Sequence, residues 1–128
     1  MEERQNGNRA HKTLTIFLTG TPFGSQAAHT ALNLAEAALE KGYRVKLFAS
    51  ADGVYSVMGK QKAAGLPLVG ERLPALIEKG LGVDLCGSCL NLRNLRADEM
   101  RVPCTQPSSL KGLFAAVSES QALIALGQ

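Results

Sequence analysis

The chain has 128 residues, 45% of them hydrophobic, with 14 Lys and Arg against 11 Asp and Glu for a net charge of +3. That length fits one domain around one continuous core, and the apolar runs are broken by charges well short of a membrane span. Scattered basic residues with only 5% aromatics lack the basic stripe and interleaved rings of a nucleic-acid surface, so neither a membrane nor direct nucleic-acid binding is expected.

Residues 1–11 are polar and aperiodic and read as a flexible leader, leaving 12–128 as a single domain. The start carries no charged-then-apolar signal segment, so the expected compartment is the cytoplasm. Lys12 to Thr19 is a β-branched, apolar run that predicts a buried first strand, punctuated by Gly20-Thr21-Pro22-Phe23-Gly24. Ser25 to Lys41 sets Ala28, Ala31, Leu32, Ala35 and Leu39 at helical spacing, with Gly42 as its carboxyl cap. A second strand follows over Tyr43 to Ala49, then a turn at Ser50-Ala51-Asp52-Gly53 and a loop with one helical turn from Val54 to Lys62. Gly65-Leu66-Pro67 breaks the chain before a short helix over Leu73 to Lys79. The third strand is Val83 to Cys86, with a helix from Ser88 to Leu95 after it. Met100 to Thr105 reads as the fourth strand, Ser108 or Ser109 caps a helix through Val117, and Gln121 to Leu126 is the fifth strand. Strand and helix alternate throughout, which predicts an α/β fold with a parallel sheet covered on both faces.

The chemistry concentrates in Gly82-Val83-Asp84-Leu85-Cys86-Gly87-Ser88-Cys89-Leu90-Asn91-Leu92-Arg93. An apolar strand runs into a cysteine, a glycine and a helix start. Cys86 therefore sits at the carboxyl end of a strand, where open α/β sheets host chemistry. A helix amino terminus favours negative charge, and the thiolate is the form of cysteine that attacks sulfur. Cys89 completes a Cys-x-x-Cys pair, which fits a resolving thiol or a dithiol redox couple. The bland reading of Cys86 is a small buried hydrophobe. Cys104, near the end of the fourth strand, is expected to be buried beside the third strand or close to Cys86. Three cysteines cannot all pair in disulfides, and in a reducing compartment an odd set points to catalysis, metal or core filling. One Cys-x-x-Cys with Cys104 and a remote histidine is a thin donor set for zinc, and no metal or cofactor is expected.

The loop from Gly20 to Gln26 precedes a helix whose N–H groups suit an anion, yet it lacks the nucleotide patterns Gly-x-Gly-x-x-Gly and Gly-Lys-Ser. Its expected role is a tight turn at the sheet edge. His29 has no carboxylate near it in sequence and reads as packed or solvated. Asp52 before Gly53 reads as a turn residue. Asp84 interrupts an apolar strand and fits an edge, a subunit contact or a polar neighbour of Cys86.

Three separated segments together resemble the DsrE/TusD family of small sulfur-relay proteins. They are Phe17 to Leu32 (FLTGTPFGSQAAHTAL), Asp52 to Met58 (DGVYSVM) and Gly82 to Asn94 (GVDLCGSCLNLRN). The first is similar to that family's strand, glycine-aromatic-glycine loop and helix start, and the second to its loop after the second strand. In the third, Cys86 and Arg93 match the family's cysteine and arginine, with Asn94 where the family has glycine. The resemblance runs from Leu14 to Leu126 and implies a three-layer α/β/α domain with a five-stranded parallel sheet. It also implies oligomers, often hexamers, and a cysteine persulfide carried from a sulfur-donor protein to a sulfur-acceptor protein. The resemblance carries over Cys86 as persulfide carrier and Arg93 as a neighbour of the site. The candidate catalytic residues are Cys86 and Cys89, with Gly87, Ser88, Gly24 and Tyr55 as further candidate neighbours. The expected function is a cytoplasmic sulfur-relay protein of sulfurtransferase type. The alternatives are a non-catalytic assembly subunit and a Cys-x-x-Cys thiol-disulfide oxidoreductase. Val54, Tyr55, Val57, Met58, Leu66 and Leu68 have no evident place in a monomer core, so residues 54–68 are expected to form the interface of a homo-oligomer, a trimer or hexamer. A hetero-oligomer with related subunits is the other form such an assembly takes.

Overall fold

The β-branched and apolar run at Thr13–Leu18 forms strand β1, and its alternation sorts the side chains: Leu14, Ile16 and Leu18 are buried on one face, while Thr13, Thr15 and Phe17 point to the other. The computed structural model describes residues 12–62, 65 and 68–127. Strands β2 (Arg44–Ala49), β3 (Gly82–Cys86), β4 (Thr105–Ser108) and β5 (Ala122–Leu126) complete a parallel sheet in the order β4-β3-β2-β1-β5. Register carries the division of β1 across the sheet. Ile16 stands beside Leu47 and Leu18 beside Ala49, and these two β2 residues stand beside Val83 and Leu85 of β3.

Helices α1 (Ala27–Glu40) and α2 (Val69–Glu78) cover that apolar face. They bury Ala28, Ala31, Leu32, Ala35, Val69, Leu73 and Leu76 into the main core. Gly42 ends α1 at φ 89°, the left-handed conformation that its lack of a Cβ permits. Helix α4 (Leu110–Ser118) lies on the opposite face, held by the Thr15 hydroxyl, which donates to the Ala116 carbonyl at 3.4 Å and lies 2.6 Å from Ser120 Oγ. There Phe17 and Phe48 stack with centroids 6.2 Å apart, and Lys46 of β2 pairs with Asp84 of β3 at 3.0 Å. Helix α3 (Gly87–Leu92) follows β3 directly, and short 3-10 helices form at Ala51–Val57 and Asp98–Met100.

Five expectations are corrected. Val54 and Val57 are fully buried in the chain's own core, and Tyr55 and Met58 pack against it, so they are not a free interface. Leu66 lies outside the described residues, as does the expected leader, 1–11. Gly53 allows this packing: a Cβ there would meet the Leu18 carbonyl, so only a glycine lets the 3-10 helix settle on the sheet's carboxyl edge. The large apolar side chains left exposed among the described residues are instead Phe23, Leu92 and Met100, each from a different segment, and a group on one face of the sheet. That group is Leu110 and Phe114 on α4, 64% and 66% accessible, with Leu123 on β5 at 49%.

Strand β4 is the polar run Thr105–Ser108, not Met100 to Thr105. Arg101 bridges antiparallel to Met58, and a turn with Cys104 at φ 69° and Thr105 Oγ1 donating to the Val102 carbonyl at 2.8 Å separates the two. Cys104 thus lies exposed in the turn before β4 instead of buried near the strand's end. Thr105 stands beside Val83, which places Cys104 roughly 10 Å or more along the strand direction from Cys86. Helix α2 begins at Val69, earlier than expected, with Pro74 in its interior instead of its first turn, where proline is best tolerated. Finally, β1 lies between β2 and β5, so the Gly20–Gly24 loop leaves an interior strand and not the sheet edge.

Candidate functional site

Adjacent strands β2 and β3 end together, so the turn Ser50-Ala51-Asp52 meets the junction of β3 and α3 at the carboxyl edge of the sheet. Cys86 ends β3 and caps α3, its Sγ accepting the Cys89 N–H at 3.4 Å. Cys89, one turn on, points its sulfur at the β2 turn. It accepts the Ala51 N–H at 3.1 Å and lies 3.6 Å from Ser50 Oγ. Burial pushes the Cys89 thiol up, but hydrogen bonds from the Cys86 thiol, Ser50 and the Ala51 N–H, together with the Arg93 charge, outweigh it. They hold the thiol below its ordinary 9.0.

Arg93 closes α3 and ties the site together. Its Nε and Nη2 donate to Asp52 Oδ1 at 3.0 and 2.9 Å, and its Nη1 donates to the Cys89 carbonyl at 3.2 Å. Its guanidinium lies 5.9 Å from the centroid of the Tyr55 ring, and Tyr55 in turn meets Phe23 at 5.7 Å. Residues from the β1 loop, the β2 turn, the 3-10 helix and α3 thus form one run of contacts around the cysteine pair.

The sequence placed the thiolate-stabilising donors around Cys86 through a helix amino terminus. Helix α3 is only six residues long, and the donors from the β2 turn converge on Cys89. Asp52 does more than shape a turn, since it orients Arg93, and Ser50, read in the sequence only as part of that turn, reaches the Cys89 sulfur. Arg93 and Tyr55 come together as site neighbours. Gly87 opens α3 and Ser88 is exposed. Gly24 lines a separate groove with Ser25, Gln26, Leu126 and Gly127, while its neighbour Phe23 reaches Tyr55. His29 is half-buried on α1. Asp84, two residues before Cys86 on the same face of β3, is engaged by Lys46. Among the described residues no three His, Cys, Asp or Glu side chains converge as a metal-binding group, and no helix is long and apolar enough to cross a membrane.

A model of the DsrE/DsrF-like family matches residues 12–126. The chain belongs to the DsrE/DsrF-like family. A DsrE/DsrF-like assignment goes with sulfur relay in general terms. An uncharacterised protein of Methanocaldococcus jannaschii is 31% identical over 110 residues, covering 86% of this chain and 96% of that protein. Another, from Methanopyrus kandleri, is 32% identical over 111 residues, covering 87% and 91%. The ychN protein from Escherichia coli has the same fold, with a TM-score of 0.82 at 22% identity over 89% of this chain and 98% of that one. The five-stranded parallel α/β sheet is therefore a DsrE-like architecture, as the sequence led us to expect.

Proposed function

We propose that this DsrE/DsrF-like chain holds sulfane sulfur as a cysteine persulfide at the Cys86–Cys89 pair and passes it from a donor protein to an acceptor protein. The observation that carries the reading is the Cys89 sulfur, which receives the Ala51 N–H at 3.1 Å with Ser50 and Arg93 beside it. Fixed donors aimed at a sulfur stabilise negative charge there without reorganising during the reaction. A thiolate of the pair attacks the outer sulfur of the donor's persulfide; a new S–S bond forms, the donor's breaks, and the donor leaves as thiolate. The acceptor's thiolate then attacks the same outer sulfur and regenerates the pair. Both steps are sulfur-transfer steps with no net redox change, so they call for no cofactor. A reducing compartment, the cytoplasm, keeps such thiols free.

Incubation with glutathione persulfide, followed by peptide mass analysis, tests this. The peptide bearing Cys86 and Cys89 is expected to gain the mass of one sulfur atom, and the Cys86→Ala/Cys89→Ala protein to gain none. A wild-type chain that stays unloaded, or loads only at Cys104, overturns the reading.

The same proposal includes a homo-oligomer, a trimer or hexamer, in which a second copy covers Leu110, Phe114 and Leu123. Their exposure on α4 and β5 supports this face over residues 54–68. Light scattering is expected to give a mass several times that of one chain. Phe114→Asp, which sets a charge into the contact, should shift it toward the monomer. A monomeric wild type at micromolar concentration sinks the homo-oligomer and leaves only assembly with related subunits.

A further inference from the structure

The two sulfurs of the pair have different surroundings. Cys89 Sγ is met from outside its own helix by the Ala51 N–H at 3.1 Å and by Ser50 Oγ at 3.6 Å. Cys86 Sγ instead accepts the Cys89 N–H at 3.4 Å, which sets it against the backbone of the turn that carries Cys89. Positions three apart on a helical turn share a face, with Cβ atoms about 5–6 Å apart. A modest rotation of both side chains brings two such cysteines within bonding reach. Cys104, at the other end of the sheet, has no part in this.

We propose that Cys89 carries the sulfur and Cys86 resolves it, releasing the sulfur as sulfide when no acceptor takes it. This division of labour rests on the relay reading above. Once Cys89 is loaded, its Sγ is the inner sulfur of the persulfide, and Cys86 Sγ, within the same helical turn, reaches it by that rotation. Attack by Cys86 on that inner sulfur forms the Cys86–Cys89 bond and breaks the bond to the outer sulfur. The outer sulfur departs with the bonding electron pair as hydrosulfide and takes up the Cys86 proton to give hydrogen sulfide. The sulfane sulfur is reduced by the two electrons that the two cysteines give up in becoming a disulfide. An external dithiol, a small molecule or a reducing protein, then restores the pair by thiol-disulfide exchange.

The two exits strike different atoms. An acceptor protein attacks the outer sulfur, whereas Cys86 attacks the inner one, favoured by proximity within one helical turn. Both cysteine side chains must rotate for the internal step, which slows it and gives a docked acceptor first claim.

The experiment loads the full chain with glutathione persulfide, removes the donor and all free thiol, and follows sulfide release and peptide masses together. Wild type is expected to release its loaded sulfur as sulfide while the peptide converts to the Cys86–Cys89 disulfide. Cys86→Ser keeps a side-chain acceptor for the Cys89 N–H, so it should load, hold the sulfur on Cys89 and release sulfide many-fold more slowly. Cys86→Ala should do the same if serine disturbs the turn. A wild type that loads and keeps its sulfur, or a Cys86→Ser protein that releases sulfide at the wild-type rate, overturns the resolver and leaves the relay standing. Cys89→Ser protein that loads fully at Cys86 overturns the assignment of the carrier. A wild type that never loads removes the relay reading and this inference together.

Discussion

Gly53→Ala is expected to destabilise the chain by about 1–3 kcal/mol, toward the upper end of that range, and to slow alkylation of Cys89 in the fraction that stays folded. The added methyl would meet the Leu18 carbonyl oxygen, with the Leu18 carbonyl carbon next at 2.9 Å. Both are backbone atoms of the interior strand β1, which β2 and β5 hold from either side, so the sheet cannot yield and the 3-10 helix must. That helix starts at Ala51, whose N–H meets Cys89, and contains Asp52, which orients Arg93. One methyl group therefore acts on the fold and on the site at once. Gly24→Ala is the contrast: nothing lies within 4 Å of a Cβ there, and its effect should stay within about 0.5 kcal/mol. Urea midpoints and iodoacetamide rates on the three proteins decide the matter. A Gly53→Ala chain with wild-type stability and wild-type Cys89 reactivity would mean that the turn is not wedged on β1 at all.

The parts of this molecule legible in the sequence are those whose signal is local. β1, β2 and β3 are buried on the core-facing side along their length, so they read as apolar runs, and α1 reads from its alanine and leucine period closed by Gly42. β4 did not read, because an edge strand paired on one side tolerates Gln106 and Pro107 and carries no apolar run. The apolar residues of 51–57 misled for the opposite reason. Their burial depends on a glycine contact with a strand far off in the chain, which no period records. The cysteine pair and Arg93 were visible because strand end, helix start and thiols lie within one short segment. What activates Cys89 was not visible. The Asp52–Arg93 pair spans 41 residues and forms only because β2 pairs with β3. The Ala51 donor is a backbone N–H, which every residue except proline offers, so residue identity holds no trace of it.

Cys86→Ala is expected to slow alkylation of Cys89 at neutral pH several-fold, more than Ser50→Ala does, and Arg93→Ala is expected to have the smallest effect of the three. The order follows the sizes of the interactions that hold the Cys89 thiol low: the Cys86 hydrogen bond first, then Ser50, with the Arg93 charge last and burial opposing them all. In wild type the rate should rise along a curve whose midpoint lies below 9.0, and each variant should move that midpoint upward. The same depression acts on stability. A thiol whose folded pKa lies below its unfolded value stabilises the fold fully above the unfolded pKa, and that stabilisation is lost as pH falls through the folded midpoint. The urea midpoint of wild type should therefore gain on that of Cys89→Ser as pH rises toward 9.0, and the gap should close toward acid. Arg93→Ala also separates charge from scaffolding. The Asp52 carboxylate it leaves behind is half exposed, and such a pair contributes about 0–1 kcal/mol, so a slower thiol in a chain of nearly unchanged stability points to charge. If Arg93→Ala moves the Cys89 midpoint further than Cys86→Ala does, the neighbouring thiol is not the main donor. The guanidinium then governs the reactivity of the site.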